Sequence, residues 1–187
     1  MESPVMGGDM TTFSSDASVT TQSWQQIRHS PLLLLATWGG SGLAPVAPGT
    51  VGTLAGLPFI ALLLWLLSAS GALLVAALLL VLGSVASHRA GQAWGKADHS
   101  AIVVDEVLGM LITVALPWYW LSPTVNEAFF YTAGFAAFRI FDIGKPWPAS
   151  WFDKHLKNGL GVMLDDVAAG LWAALVLAGI LQFGWLS

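Results

Sequence analysis

Five apolar stretches, at residues 53–69, 71–87, 102–121, 128–143 and 167–186, alternate with short polar or Gly/Pro-rich connectors along this 187-residue chain. A hydrocarbon core about 30 Å thick takes roughly 20 mainly apolar residues per helix, and a segment in lipid has to satisfy its backbone polar groups internally. The pattern predicts an all-α, polytopic membrane protein with about five transmembrane helices. Charged residues make up only 10% of the chain, against roughly 25% in soluble domains, as suits lipid rather than water as the solvent. Trp118, Tyr119 and Trp120 at the far end of the third stretch read as part of an aromatic belt.

Residues 31–38 are apolar but too few to cross, which predicts a short interfacial or re-entrant helix ahead of the spans. The following segment, GGSGLAPVAPGTVGT at 39–53, is dense in Gly and Pro. It predicts an irregular loop whose N–H groups can face a ligand, with the first span starting near Thr53. Residues 1–28, rich in Ser, Thr, Gly and Asp, predict a disordered tail. Glu2, Asp9 and Asp16 precede the first basic residue, Arg28, unlike the basic start of a signal peptide. Residues 29–187 then form one membrane-embedded domain.

The seven basic residues all fall on one side of this topology: Arg28, Arg89, Lys96, Arg139, Lys145, Lys154 and Lys157. The bias of Lys and Arg toward the cytoplasm places that side and the N-terminus inside the cell, with the C-terminus across the membrane. A net charge of -4 without a long basic run leaves no electrostatic footprint for nucleic acid. The absence of cysteine removes disulfides, thiolate metal ligands and cysteine-nucleophile phosphatase chemistry together.

Acidic residues in or beside spans are costly and mark function. Asp105 and Glu106 open the third span, Asp142 sits in the last turn of the fourth, and Asp165 with Asp166 just precedes the fifth, so three helix ends deliver carboxylates to one membrane surface. Ordinary flanking charges at helix ends would look similar residue by residue. As a set, the five suit a hard, oxygen-seeking cation such as Mg²⁺, with substrate phosphate and water completing its shell. Gly109 and Gly170 each follow an acid by four residues and allow close helix approach. Arg139, Asp142 and Lys145, spaced three apart, form either an intrahelical charge ladder or a site with Lys145 or Arg139 on a substrate phosphate and Asp142 on metal. His99 is a candidate general acid or base. Ser41, Thr50 and Thr53 in the Gly/Pro loop are candidate phosphate contacts beside backbone N–H groups.

Four blocks, GSGLAPVAPGTVGTLAGLP, DHSAIVVDEVLGM, FRIFDIGKPWP and WFDKHLKNGLGVMLDDVAAG, together resemble in order and spacing the phosphatidylglycerophosphatase A family, from about residue 31 to the C-terminus. The resemblance implies a Mg²⁺-dependent phosphoric monoester hydrolase that converts phosphatidylglycerophosphate to phosphatidylglycerol and inorganic phosphate during phospholipid synthesis. It would do so at the cytoplasmic face of the bacterial inner membrane. It places Asp105, Glu106, Asp142, Asp165 and Asp166 among metal-binding and catalytic positions, beside Lys145, Pro48, Gly49 and Thr50. Ala44 departs from the pattern by lacking a hydroxyl. Direct attack by water and a phosphoaspartate route both remain open. From other classes, a small cation or solute transporter and a non-catalytic membrane subunit compete. Transport sites usually lie nearer the bilayer midplane than these acids do.

Overall fold

A computed structural model describes residues 24–183, and every regular element among them is helical. In chain order these are α1 (Pro31–Ala36), a 3₁₀ turn (Ser41–Leu43), α2 (Pro48–Leu66), α3 (Ala69–Trp94), α4 (Val104–Leu121), α5 (Glu127–Gly144), α6 (Ala149–His155) and α7 (Gly159–Gln182). Most of the segment expected to be a disordered tail lies outside the described residues. Its last part, 24–27, forms a helical turn with Ile27 fully buried.

Several helix limits differ from the sequence expectation, each for a local reason. The first span was expected to start near Thr53, yet α2 begins at Pro48. Proline has no N–H to leave unpaired at a first helical position, and its fixed φ is already helical. The second span was expected to end near Ser87. Instead α3 runs on to Trp94, where Gly95 at φ 71° terminates it, so most of the expected polar connector is helical. The fifth span was expected from 167, but the Asn158 side chain accepts from the Gly161 N–H at 2.9 Å and starts α7 at Gly159. Asp165 and Asp166 therefore sit inside the helix rather than ahead of it. The short helix α6 within the connector 144–161 has no apolar periodicity long enough to announce it.

Four helices, α2, α3, α4 and α7, are long and apolar enough to cross a membrane. The expected fourth span, α5, forms but is not among them, because Glu127, Arg139 and Asp142 dilute its apolar content. It nevertheless runs antiparallel along the whole of α4. Phe130 meets Trp118 with ring centroids 5.6 Å apart, Gly134 faces Val114, Phe138 faces Gly109, and Arg139 reaches Glu106. Leu73, Leu74, Leu78, Val81 and Leu82 of α3 point outward and exposed, a surface that suits lipid.

The centre of the bundle is the α4–α7 seam. A Cβ at Gly170 would lie 2.5 Å from the Gly109 carbonyl oxygen, so the two backbones touch without intervening side chains. Thr113 Oγ1 donates to the Gly109 carbonyl at 2.8 Å and lies 3.3 Å from that of Gly170. Around the seam pack Met110, Leu111, Phe138, Met163 and Leu177, all buried. The close approach holds the acidic residues one turn above each glycine at one level.

The Gly/Pro segment is ordered by the same end of the bundle. Thr37 closes α1 by donating to the Leu33 carbonyl and accepting from the Gly40 N–H, and the Ala36 carbonyl accepts from the Val103 N–H at 2.9 Å. The short helix α1 is thus tied to the residue that precedes α4.

Candidate functional site

Four helix ends meet at one end of the bundle. The start of α4 carries Asp105 and Glu106, the end of α5 carries Arg139 and Asp142, the second turn of α7 carries Asp165 and Asp166, and the N-terminus of α2 closes over them. All five sequence-predicted acids converge. Asp105, Asp165 and Asp166 are buried, and Glu106 and Asp142 nearly so. Asp166 has Asp105, Asp142, Asp165 and Glu106 as charged neighbours.

Two cations hold part of this charge. Arg139 Nη1 bridges Asp142 Oδ2 at 2.6 Å and Glu106 Oε1 at 3.3 Å, joining α5 to α4. Lys145 does not extend the expected one-face ladder. The helix stops at Gly144, and Lys145 takes up φ 40° as its C-cap, which swings the ammonium toward α7. There it pairs with Asp165 Oδ2 at 2.5 Å and Asp153 Oδ1 at 3.4 Å. Burial alone would lower the Lys145 pKa. The hydrogen bond and charge of Asp165, with Asp153 beyond it, outweigh that and raise it above the ordinary lysine value. A non-glycine residue in the left-handed region stores strain, of the kind that clusters at functional sites.

Five carboxylates against two cations leave oxygens without partners. Glu106 Oε2 and Asp166 Oδ2 are buried and make no hydrogen bond, an arrangement whose desolvation cost calls for a counter-charge. Among the described residues, no three carboxylate or imidazole groups stand in a ready-made metal-binding arrangement. Oxygens of Glu106 and Asp142 pair with Arg139, and one of Asp165 with Lys145. The donor set is all oxygen, which fits a hard divalent cation better than a soft one.

The α2 N-terminus supplies the opposite kind of surface. No side chain caps it, so the N–H groups of Gly49 and Thr50 have no intrahelical partner. They lie next to Glu106 and Arg139: a Cβ on Gly49 would stand 1.9 Å from Glu106 Oε1 and 3.3 Å from Arg139 Nη1. Free N–H groups, the helix dipole and a guanidinium form a surface suited to an oxyanion.

The remaining sequence-predicted residues are placed differently. Thr50 is half-buried at the α2 N-terminus and within this surface. Thr53 is buried, with its hydroxyl donating to the Gly49 carbonyl at 2.8 Å, and Ser41 donates to the Thr37 and Trp38 carbonyls, so both hydroxyls serve the backbone. The His99 ring accepts from the Ala101 N–H at 3.2 Å and lies 4.9 Å from the Trp94 ring. Its charged neighbours are Lys96 and Asp98 rather than the acid cluster. Burial and then Lys96 lower its pKa, which Asp98 only partly offsets. Asp153 was not anticipated, although its four-residue spacing from Lys157 in WFDKHLK was a legible signal; it touches both Lys145 and Lys157. The connector that carries it is fixed where the Trp172 indole donates to the Trp147 carbonyl at 3.0 Å, while the Trp147 side chain is exposed as an interfacial anchor would be.

Residues 34–181 match the family model described as PgpA, Phosphatidylglycerophosphatase A. A phosphatidylglycerophosphatase A of Escherichia coli strain K12 is 42% identical over 161 residues, covering 82% of this chain and 83% of that protein. One from Haemophilus influenzae is 41% identical over 155 residues, covering 81% and 89%. A third relative, from Bacteroides thetaiotaomicron, carries a provisional name as a phosphatidylinositol-3-phosphatase and is 40% identical over 156 residues, covering 78% and 91%. No solved structure matches.

Proposed function

The chain belongs to the phosphatidylglycerophosphatase A family, and from that premise we propose that it hydrolyses the phosphomonoester of phosphatidylglycerophosphate, releasing phosphatidylglycerol and inorganic phosphate. The observation that carries the reading is the meeting of carboxylates from α4, α5 and α7 with the uncapped α2 N-terminus and Arg139. One surface is suited to a cation and the adjoining one to a phosphate oxyanion. The site would face the cytoplasm of a bacterial inner membrane, as the side richest in Lys and Arg.

Asp105, Glu106, Asp142 and Asp166 are the residues that would hold Mg²⁺, with the partnerless oxygens of Glu106 and Asp166 as the strongest claim. Bound there, Mg²⁺ would neutralise phosphate oxygens and favour deprotonation of an attacking water. The N–H groups of Gly49 and Thr50 and the Arg139 guanidinium orient the phosphoryl group and stabilise charge on its equatorial oxygens. Lys145, held by Asp165 and Asp153, is placed to steer the dianionic phosphomonoester. Water adds to phosphorus, the bond between phosphorus and the glycerol oxygen breaks, and a proton passes to that oxygen to give the alcohol.

The test is phosphate release from phosphatidylglycerophosphate by detergent-purified protein with Mg²⁺, with EDTA, and by Asp166→Asn. Release that needs Mg²⁺ and is lost in the variant supports the reading. A well-folded wild-type protein that releases none, while hydrolysing a phosphatidylinositol phosphate, moves the substrate to that lipid.

A further inference from the structure

Below the acid cluster, α3 and α4 part. Near the site Gly83 of α3 faces Met163 of α7 and Val104 at the start of α4, and at the far end the Tyr119 hydroxyl donates to the carbonyl of Leu67, in the turn between α2 and α3, at 2.8 Å. Between these two points lies a cavity of about 580 Å³, within the size range of ligand sites. Its α3 wall is mostly alanine, Ala69, Ala72, Ala76 and Ala77 between Leu73 and Leu80, where larger side chains would close the gap. Leu108, Ile112 and Tyr119 form the α4 wall, and Val167 of α7 the floor. The Tyr119 hydroxyl is already satisfied, so only its ring belongs to the lining, and the whole surface is apolar.

Three observations tie this groove to the site. Asp105, Leu108, Ile112 and Tyr119 recur at i, i+3, i+7 and i+14, so the groove continues down the α4 face that begins with Asp105. Val167 directly follows Asp166. From Leu108 to Tyr119 the helix rises about 16 Å at 1.5 Å per residue, so the groove runs from one turn below Asp105 to the aromatic end of α4 and offers an extended chain an apolar path across much of a hydrocarbon core about 30 Å thick. Leu73, Leu116 and Trp120 are exposed at the rim, which leaves the groove open sideways to the bilayer.

We infer that the groove between α3 and α4 seats one acyl chain of the lipid substrate, entering laterally with its phosphate end rising to Asp105 and Asp166. This rests on the lipid phosphatase reading above and adds a subsite to it. A chain leaving bulk lipid for the groove exchanges one apolar surroundings for another, so hydrophobic transfer contributes little. The groove acts by fixing where the headgroup lies relative to the carboxylates, which is an effect of orientation.

The experiment uses the full chain in detergent with Ala76→Phe, which fills the groove, and Leu78→Phe, which faces away from it on the same helix. Each is assayed on long-chain and dihexanoyl phosphatidylglycerophosphate. Each is also photolabelled with a phosphatidylglycerophosphate bearing a diazirine midway along one chain, and its oligomeric mass is measured. Ala76→Phe is expected to lower kcat/KM on the long-chain lipid by about tenfold or more, a typical consequence of misplacing a reacting group. It should leave the dihexanoyl rate within a factor of about two and abolish labelling near Ile112, with Leu78→Phe unchanged throughout. Equal effects on both substrates, or wild-type label lying elsewhere, overturn the inference. So does a change of oligomeric mass in Ala76→Phe with rates intact, which would make the groove an interface between copies. Labelling at Ile112 that Ala76→Phe removes, in a protein that releases no phosphate, keeps the groove and removes the phosphatase reading instead.

Discussion

Gly49 lies so close to Glu106 that a methyl group on its Cα would fall 1.9 Å from the Glu106 carboxylate oxygen. The contact joins the α2 N-terminus to the residue that Arg139 holds from α5, so one absent side chain lets the carboxylate cluster and the uncapped helix N-terminus adjoin. Gly49→Ala raises helix propensity and should not weaken α2 itself. It pushes Glu106 and Arg139 aside, and kcat is expected to fall by about a hundredfold with helicity and melting temperature near wild type. A variant with undiminished turnover would show that the contact plays no part in the reaction.

Asp166→Asn keeps the shape of a side chain that is buried with a partnerless oxygen. Removing one of several crowded negative charges should leave stability unchanged or improved while activity falls by at least about a hundredfold, as when a functional site is built at the expense of stability. Mg²⁺ should raise the melting temperature of the wild type and not that of the variant. An equal Mg²⁺ shift in both would take Asp166 out of the cation site.

Lys145→Met leaves Asp165 buried without its 2.5 Å partner, and a loss of about 1–3 kcal/mol is expected from chemical denaturation. Adding Asp165→Asn should restore much of that stability without restoring turnover. The double-mutant cycle then reports a coupling confined to the pair. Simple additivity would mean that the two side chains do not interact in solution.

His99→Gln tests the residue that pattern alone nominated as an acid or base. The ring's nitrogen serves the Ala101 N–H and its burial disfavours the charged form, so phosphate release is expected to stay within about threefold of wild type, short of the 10²–10⁴ that a general acid or base contributes. A hundredfold loss with an unchanged melting curve would bring the imidazole into the reaction.

Gly170→Ala sets a methyl 2.5 Å from the Gly109 carbonyl. Because that neighbour is backbone, it cannot turn aside, and a destabilisation of about 1–3 kcal/mol is expected in thermal melts. Activity should fall with it, since Asp105 and Asp166 are each held four residues above that seam.

The convergence of the acids was legible because depth along a span follows directly from sequence position, and each acid lay near the same end of its helix. The α4–α7 contact was legible for the same reason, through Gly109 and Gly170. The limits of α2, α3 and α7 were not, since they depend on caps: Pro48, Gly95 and Asn158 act through single backbone or side-chain bonds that leave no periodic trace. The partner of Lys145 was hidden as well. Spacing suggested Asp142, but the left-handed turn at Lys145 redirects the ammonium to Asp165 and to Asp153 on a helix too short to read. The hydroxyls of Ser41 and Thr53 looked available in a Gly/Pro-rich loop, and became unavailable once that loop proved to be a tight turn and a helix start.

The polar character of α5 bears on how the protein is made. Arg139 and Asp142 carry an insertion cost on the order of 1 kcal/mol or more each near a helix end, so α5 gains little by leaving the translocon alone. Held against α4, its guanidinium meets Glu106, and Phe130 and Phe138 are already covered. The pair is therefore suited to enter the bilayer as a hairpin, in which case a nascent chain that fails to join Arg139 to Glu106 presents a poorly inserted helix to the membrane's quality-control proteases.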